Sequence, residues 1–127
     1  MRAKHIVLGL LIAVIAVRLF HLATAPGDVQ LFTLFLAYTA CVYPGAGLSD
    51  GQRPWLAIEA AFSALVFLCA WLGLSQSPIW LAAGYGVHGA WDLAHHPRLI
   101  RTRIVGWFPP ICAVFDFAVA GYVLFRY

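Results

Sequence analysis

Five runs of about twenty mostly apolar residues, each bounded by proline, glycine or charge, constrain this chain more than any single motif. A helix crosses the hydrocarbon core of a bilayer with about 20 such residues. Five spans are therefore expected, at about 5–25, 29–47, 55–74, 78–96 and 108–126. The breakers agree with these limits. Pro26-Gly27-Asp28 offers Asp28 as an N-cap for the second span, residues 51–54 precede the third, Ser77-Pro78 opens the fourth, and Pro109-Pro110 stands in the first turn of the fifth. Proline is tolerated there because first-turn N–H groups lack an intrahelical partner. Composition agrees: 63% of the 127 residues are hydrophobic and 10% are charged, against about 45–50% and 25% in soluble domains. That balance leaves too little polar surface for a water-soluble fold or a disordered chain. The expectation is a single all-α domain over residues 1–127, an integral membrane five-helix transmembrane bundle.

Arg2, Lys4, Arg53, Arg98, Arg101 and Arg103 fall on one side of this layout and Arg126 on the other, with Arg18 inside a span. Cytoplasmic loops carry the excess of Lys and Arg. The N-terminus is thus expected in the cytoplasm and the C-terminus outside, in a multi-pass protein of the bacterial inner membrane. The net charge of +3 reads as a topology signal, with membrane lipid as partner and no nucleic acid. Arg2, Lys4, the apolar stretch 6–17 and Ala23-Thr24-Ala25 also match the layout of a secretory signal peptide. Because the chain begins at Met1, we expect this first helix to be retained. Cys41, Cys69 and Cys112 are odd in number and lack C-x-x-C spacing, so free buried thiols are expected. So small a bundle has little interior, which favours a homo-oligomer or a place in a larger membrane complex.

Ionisable groups within spans are the chemically informative ones. Each costs about 2.5–3.5 kcal/mol at a helix centre and is a functional candidate by default. Counted from the expected cytoplasmic ends at about 1.5 Å per residue, Glu59, His88, Asp92 and Asp116 share one slab, with His95 and His96 just below it. At about 100° per residue, His88, Asp92, His95 and His96 form one stripe on the fourth span, together with Gly84 and Tyr85. Asp116 shares a face with Pro109, Cys112 and Ala120, and Glu59 shares one with Ser63. Small residues beside the acids permit close helix approach.

The string His88-Gly89-Ala90-Trp91-Asp92-Leu93-Ala94-His95-His96 is the strongest local pattern. Histidine and aspartate one turn apart can hold one ion, because side chains at i and i+4 meet on a helix face. His88 and His96 lie about 12 Å apart along the axis and cannot share it. A site is then either upper, with His88, Asp92, Asp116 and Glu59, or lower, with Asp92 and His95 or His96. A mixed carboxylate and imidazole shell suits a divalent transition metal such as Zn, Fe or Mn.

His88-x-x-Trp91-Asp92-x-x-His95-His96, followed by Trp107-Phe108-Pro109-Pro110 and Cys112-x-x-x-Asp116, resembles a group of small, uncharacterised bacterial integral membrane proteins from about Pro54 onward. That resemblance implies a multi-span helical fold and no activity. Asp92-Leu93-Ala94-His95-His96 is also similar to one H-x-x-H-H box of membrane desaturases and hydroxylases with its first histidine replaced. Those enzymes need several boxes, and only five histidines occur here. Membrane zinc hydrolases related to adiponectin receptors and alkaline ceramidases are similar in using three histidines and an aspartate, spread over a seven-span bundle. The tryptophan-rich sensory proteins share the five spans, but their Trp-Asn and Pro-x-Trp strings are absent.

The function expected from these residues is a metal-dependent membrane enzyme acting on a lipid-like or isoprenoid substrate. Metal ligands would come from His88, Asp92 and one of His95 or His96, with Glu59 or Asp116 as ligand or catalytic base toward bound water. A proton-coupled carrier or ion conductor using Glu59, Asp92 and Asp116 is the alternative from another class. A third is an accessory subunit of a larger membrane complex, in which the stripe serves only packing.

Overall fold

The computed structural model describes residues 2–23, 27–51, 53–96 and 99–127. Thr24, Ala25, Pro26 and Arg98, used above as cleavage, breaker and topology signals, lie outside them. The described chain is all-helical: α1 (Ala3–Phe20), α2 (Gly27–Ala40), α3 (Val42–Asp50), α4 (Arg53–Ser75), α5 (Ile79–His95) and α6 (Phe108–Arg126). Cys41 interrupts α2 and α3, which together form one apolar run over Gly27–Ser49. Five helical rods result, within a few residues of the expected limits.

Four of the rods, Ala3–Phe20, Gly27–Ser49, Arg53–Ser75 and Phe108–Arg126, are long and apolar enough to cross a membrane. The fourth expected span, α5, has 17 residues, about 25 Å of helix. It is shorter than its neighbours and carries the polar stripe. Its Leu81, Tyr85, His88, Asp92 and His95 are all buried, so it depends on protein rather than lipid for its surroundings.

Packing places α6 between α5 and α1, and α4 between α5 and the α2–α3 rod. No Cα atom of α2 lies within 8 Å of one in α6, which leaves a groove between them. Close contact of α5 with α6 depends on Gly89. A Cβ there would lie 3.2 Å from the Asp116 Cβ and 3.3 Å from the Ala113 carbonyl oxygen. Gly9 does the same for α1, where a Cβ would meet the Ile111 carbonyl oxygen at 2.7 Å. Most other residues of α1 face outward, including Val7, Leu11, Val14 and Leu19.

The apolar core, with Phe32, Leu36, Val66, Leu81, Val119 and Val123, fills the half of the bundle nearer the α1–α2 connection. Tyr85 ties α5 to α2 there by donating to the Phe32 carbonyl oxygen at 2.8 Å. At that end Asp28 differs from the expected N-cap. α2 already begins at Gly27, and the buried Asp28 carboxylate accepts from the Tyr127 hydroxyl at 2.6 Å and the Val29 N–H at 2.8 Å. His21 turns inward onto the Tyr122 hydroxyl. The first and second rods are thus pinned to the end of α6. Of the cysteines, Cys69 is buried and Cys112 partly so, whereas Cys41, at the break between α2 and α3, is exposed.

A buried candidate metal centre

Three of the predicted residues converge. His88 and Asp92 stand one turn apart on α5, and Asp116 reaches them from α6 across the Gly89 contact. The His88 Nδ1 atom lies 2.7 Å from Asp116 Oδ2 and 3.6 Å from Asp92 Oδ2. Each residue offers a ligand atom, and these atoms lie within 4.8 Å of one another, so the group could hold a metal ion. All three side chains are buried, with Asp92 fully so. His88 Nε2, Asp92 Oδ2 and Asp116 Oδ1 have no hydrogen-bond partner. Buried polar atoms are nearly always paired, so three orphans in one cluster make it the chemically unfinished part of the molecule.

The remaining predicted residues form a second group. Glu59 on α4 is fully buried and accepts three hydrogen bonds: from Trp91 Nε1 at 2.9 Å, His95 Nε2 at 2.9 Å and Thr102 Oγ1 at 2.7 Å. The other ring nitrogen of His95 faces the Trp91 carbonyl oxygen at 3.0 Å. Both nitrogens of His95 therefore point at oxygen acceptors. This saturated arrangement keeps Glu59 and His95 away from the His88 cluster. His96, at the C-cap of α5, is exposed. Neither the expected upper set, with Glu59, nor the lower set, with His95 or His96, is assembled as a whole. The reason is geometric: His95 lies about one turn beyond Asp92 along the axis, level with Glu59 rather than with Asp116.

Tyr43 joins the two groups. Its hydroxyl donates to Asp92 Oδ1, and its ring stacks on His95 with centroids 3.9 Å apart and planes at 21°. Trp91 stacks on Phe62 at 4.1 Å and 6°, which orients its indole N–H toward Glu59.

An apolar cavity of about 270 Å³ lies in the groove between α2 and α6. Phe35, Tyr38, Trp107, Phe108 and Phe115 contribute to its walls, and His88 and Asp116 line it too. The unfinished cluster therefore borders a space with a largely hydrocarbon lining.

The family model described as "Family of unknown function (DUF6010)" matches residues 4–126. The chain belongs to DUF6010. No curated protein and no solved structure matches it. For this DUF6010 protein the site therefore rests on its own geometry. Three of its contributors escaped the sequence reading. Tyr43 belongs to no motif, Trp91 served only as a letter of the motif, and Thr102 sat among arginines read as topology signals. Only Trp91 left a trace, because it lies one turn before His95 on the side that faces Glu59.

Proposed function

We propose that this protein is a metal-dependent integral membrane enzyme that acts on a lipid-like or isoprenoid substrate. His88, Asp92 and Asp116 would hold a divalent transition ion. One imidazole and two carboxylates suit Zn or Fe, and three protein ligands leave a position for water or substrate. The observation that carries the reading is the set of three unpartnered buried atoms, His88 Nε2, Asp92 Oδ2 and Asp116 Oδ1, in one cluster. An ion there would acidify a bound water or polarise a substrate oxygen. Tyr43 would fix the orientation of Asp92, as partners of metal ligands do.

The groove between α2 and α6 supports the substrate class, because its aromatic and aliphatic walls suit a hydrocarbon chain. In this reading the N-terminus is cytoplasmic and the C-terminus outside, in the bacterial inner membrane, and the outward face of α1 is available for self-association. Elemental analysis of detergent-purified protein tests the proposal. About one transition ion per chain is expected, lost in His88→Ala and in Asp92→Ala. A metal-free wild type, or variants indistinguishable from it, ends the idea.

A second reading, a proton-coupled carrier or ion conductor, draws on the two imidazole–carboxylate pairs that Tyr43 connects. It expects pH-driven flux in proteoliposomes that Asp116→Asn abolishes.

A further inference from the structure

A second cavity, of about 610 Å³, opens at the other side of the α6 N-terminus, between the end of α5 and the segment that leads into α6. Its floor includes the buried Thr102 and His95, both engaged with Glu59. Arg101, Arg103 and His96 also line it, and no Asp or Glu is among its described lining residues. Burial alternates along this segment: Ile100 and Thr102 are buried, whereas Arg101, Arg103 and Val105 are exposed. A guanidinium grips a phosphate through paired N–H donors. Arg103 also borders a neighbouring pocket beside Ala46 and Ser49, so Arg101 is the residue given over to this cavity alone.

The surroundings indicate where such a phosphate comes from. Leu99, Val105 and Trp107, on the same connection, are exposed apolar residues, and the cavity lies where two helices of the bundle end. Apolar side chains and arginines alternating at that level suit the boundary between acyl chains and headgroups.

We infer that this cavity binds the phosphate of an anionic membrane lipid, with Arg101 as its principal donor and Arg103 and His96 beside it. The site is separate from the His88 cluster and does not depend on the proposed metal chemistry. It differs from a diffuse basic surface, where each residue contributes about fivefold regardless of position, because the cavity makes one arginine matter more than another.

Native mass spectrometry of the full chain in detergent, titrated with phosphatidylglycerol or phosphatidylcholine, tests this. The wild type is expected to prefer phosphatidylglycerol by about tenfold or more. Arg101→Gln should reduce the preference to within about twofold, Arg101→Lys should fall between, and Lys4→Gln, on exposed α1, should match the wild type. Equal losses in Arg101→Gln and Lys4→Gln would show diffuse attraction and overturn the site. Saturable binding of inorganic phosphate without any lipid preference would assign the cavity to a soluble anion and overturn the headgroup assignment. Equal thermal midpoints among the variants establish that any loss is one of binding, and Arg101→Lys keeps the test valid should Arg101→Gln unfold.

Discussion

At the scale of single residues, the two acid–histidine groups make opposite predictions. Tyr43→Phe keeps the ring that stacks on His95 and removes only the donor to Asp92 Oδ1. Loss of such a supporting contact costs about 10–100-fold in metal affinity, so a weaker ion with an unchanged fold is expected from chelator competition. Glu59→Gln places an amide N–H where donors already converge and removes the charge facing His95. A buried donor left without its acceptor costs about 1–3 kcal/mol. Its unfolding midpoint in denaturant should drop accordingly while its metal content stays at the wild-type level. Loss of metal together with intact stability in Glu59→Gln would place Glu59 inside the centre after all. The sequence announced Glu59, His88, Asp92 and Asp116 through the cost of charge in lipid. It could not say which acid meets which histidine, because helical periodicity specifies a face and a depth but not the neighbour across the gap.

At the scale of elements, the centre exists because α5 and α6 touch. Gly89 faces Asp116 one residue after His88, so a bulky side chain there pushes Asp116 away from His88 and Asp92. Gly89→Val is expected to lower both stability and metal content, by overpacking of about 1–3 kcal/mol and by displacement of Asp116. Thermal unfolding and elemental analysis on the same preparation check it; full metal retention would mean that α6 does not supply a ligand. The span limits and the proline-led starts were readable in advance, since breakers and apolar runs are local signals. Less visible was the break at Cys41, which leaves Tyr43 on a separate short helix pointing at Asp92. Pro44 is its local cause: it has no N–H for the Ala40 carbonyl oxygen, which accepts from the Ser63 hydroxyl instead.

At the scale of the whole molecule, the two acid–histidine groups and the apolar core occupy opposite halves of one bundle. The His88 and Glu59 groups lie toward the α5–α6 connection, and Phe32, Leu36, Val119 and Val123 lie toward the α1–α2 connection. The proposed orientation puts the polar half on the cytoplasmic side. Single cysteines at Arg2 and Tyr127, introduced in a background lacking the native thiols, check it in sealed inverted vesicles. A membrane-impermeant maleimide should label the first and not the second; the reverse pattern would invert the topology and place the arginine-lined cavity outside.

Hydropathy, charge placement and helical spacing belong to the chain itself, because each follows from residues near one another along it. They determined an all-helical fold, its segment boundaries, and a buried stripe on α5 rich in histidine and aspartate. Tertiary packing alone decided that Asp116 would meet His88, that Glu59 would be spent on Trp91, His95 and Thr102, and that Tyr43 would join the two groups. Those pairings span 28 to 49 residues of sequence for His88–Asp116, Trp91–Glu59, His95–Glu59, Thr102–Glu59 and Tyr43–Asp92. Contacts between helices depend on crossing position and rotation, which small residues such as Gly89 permit but no local pattern specifies.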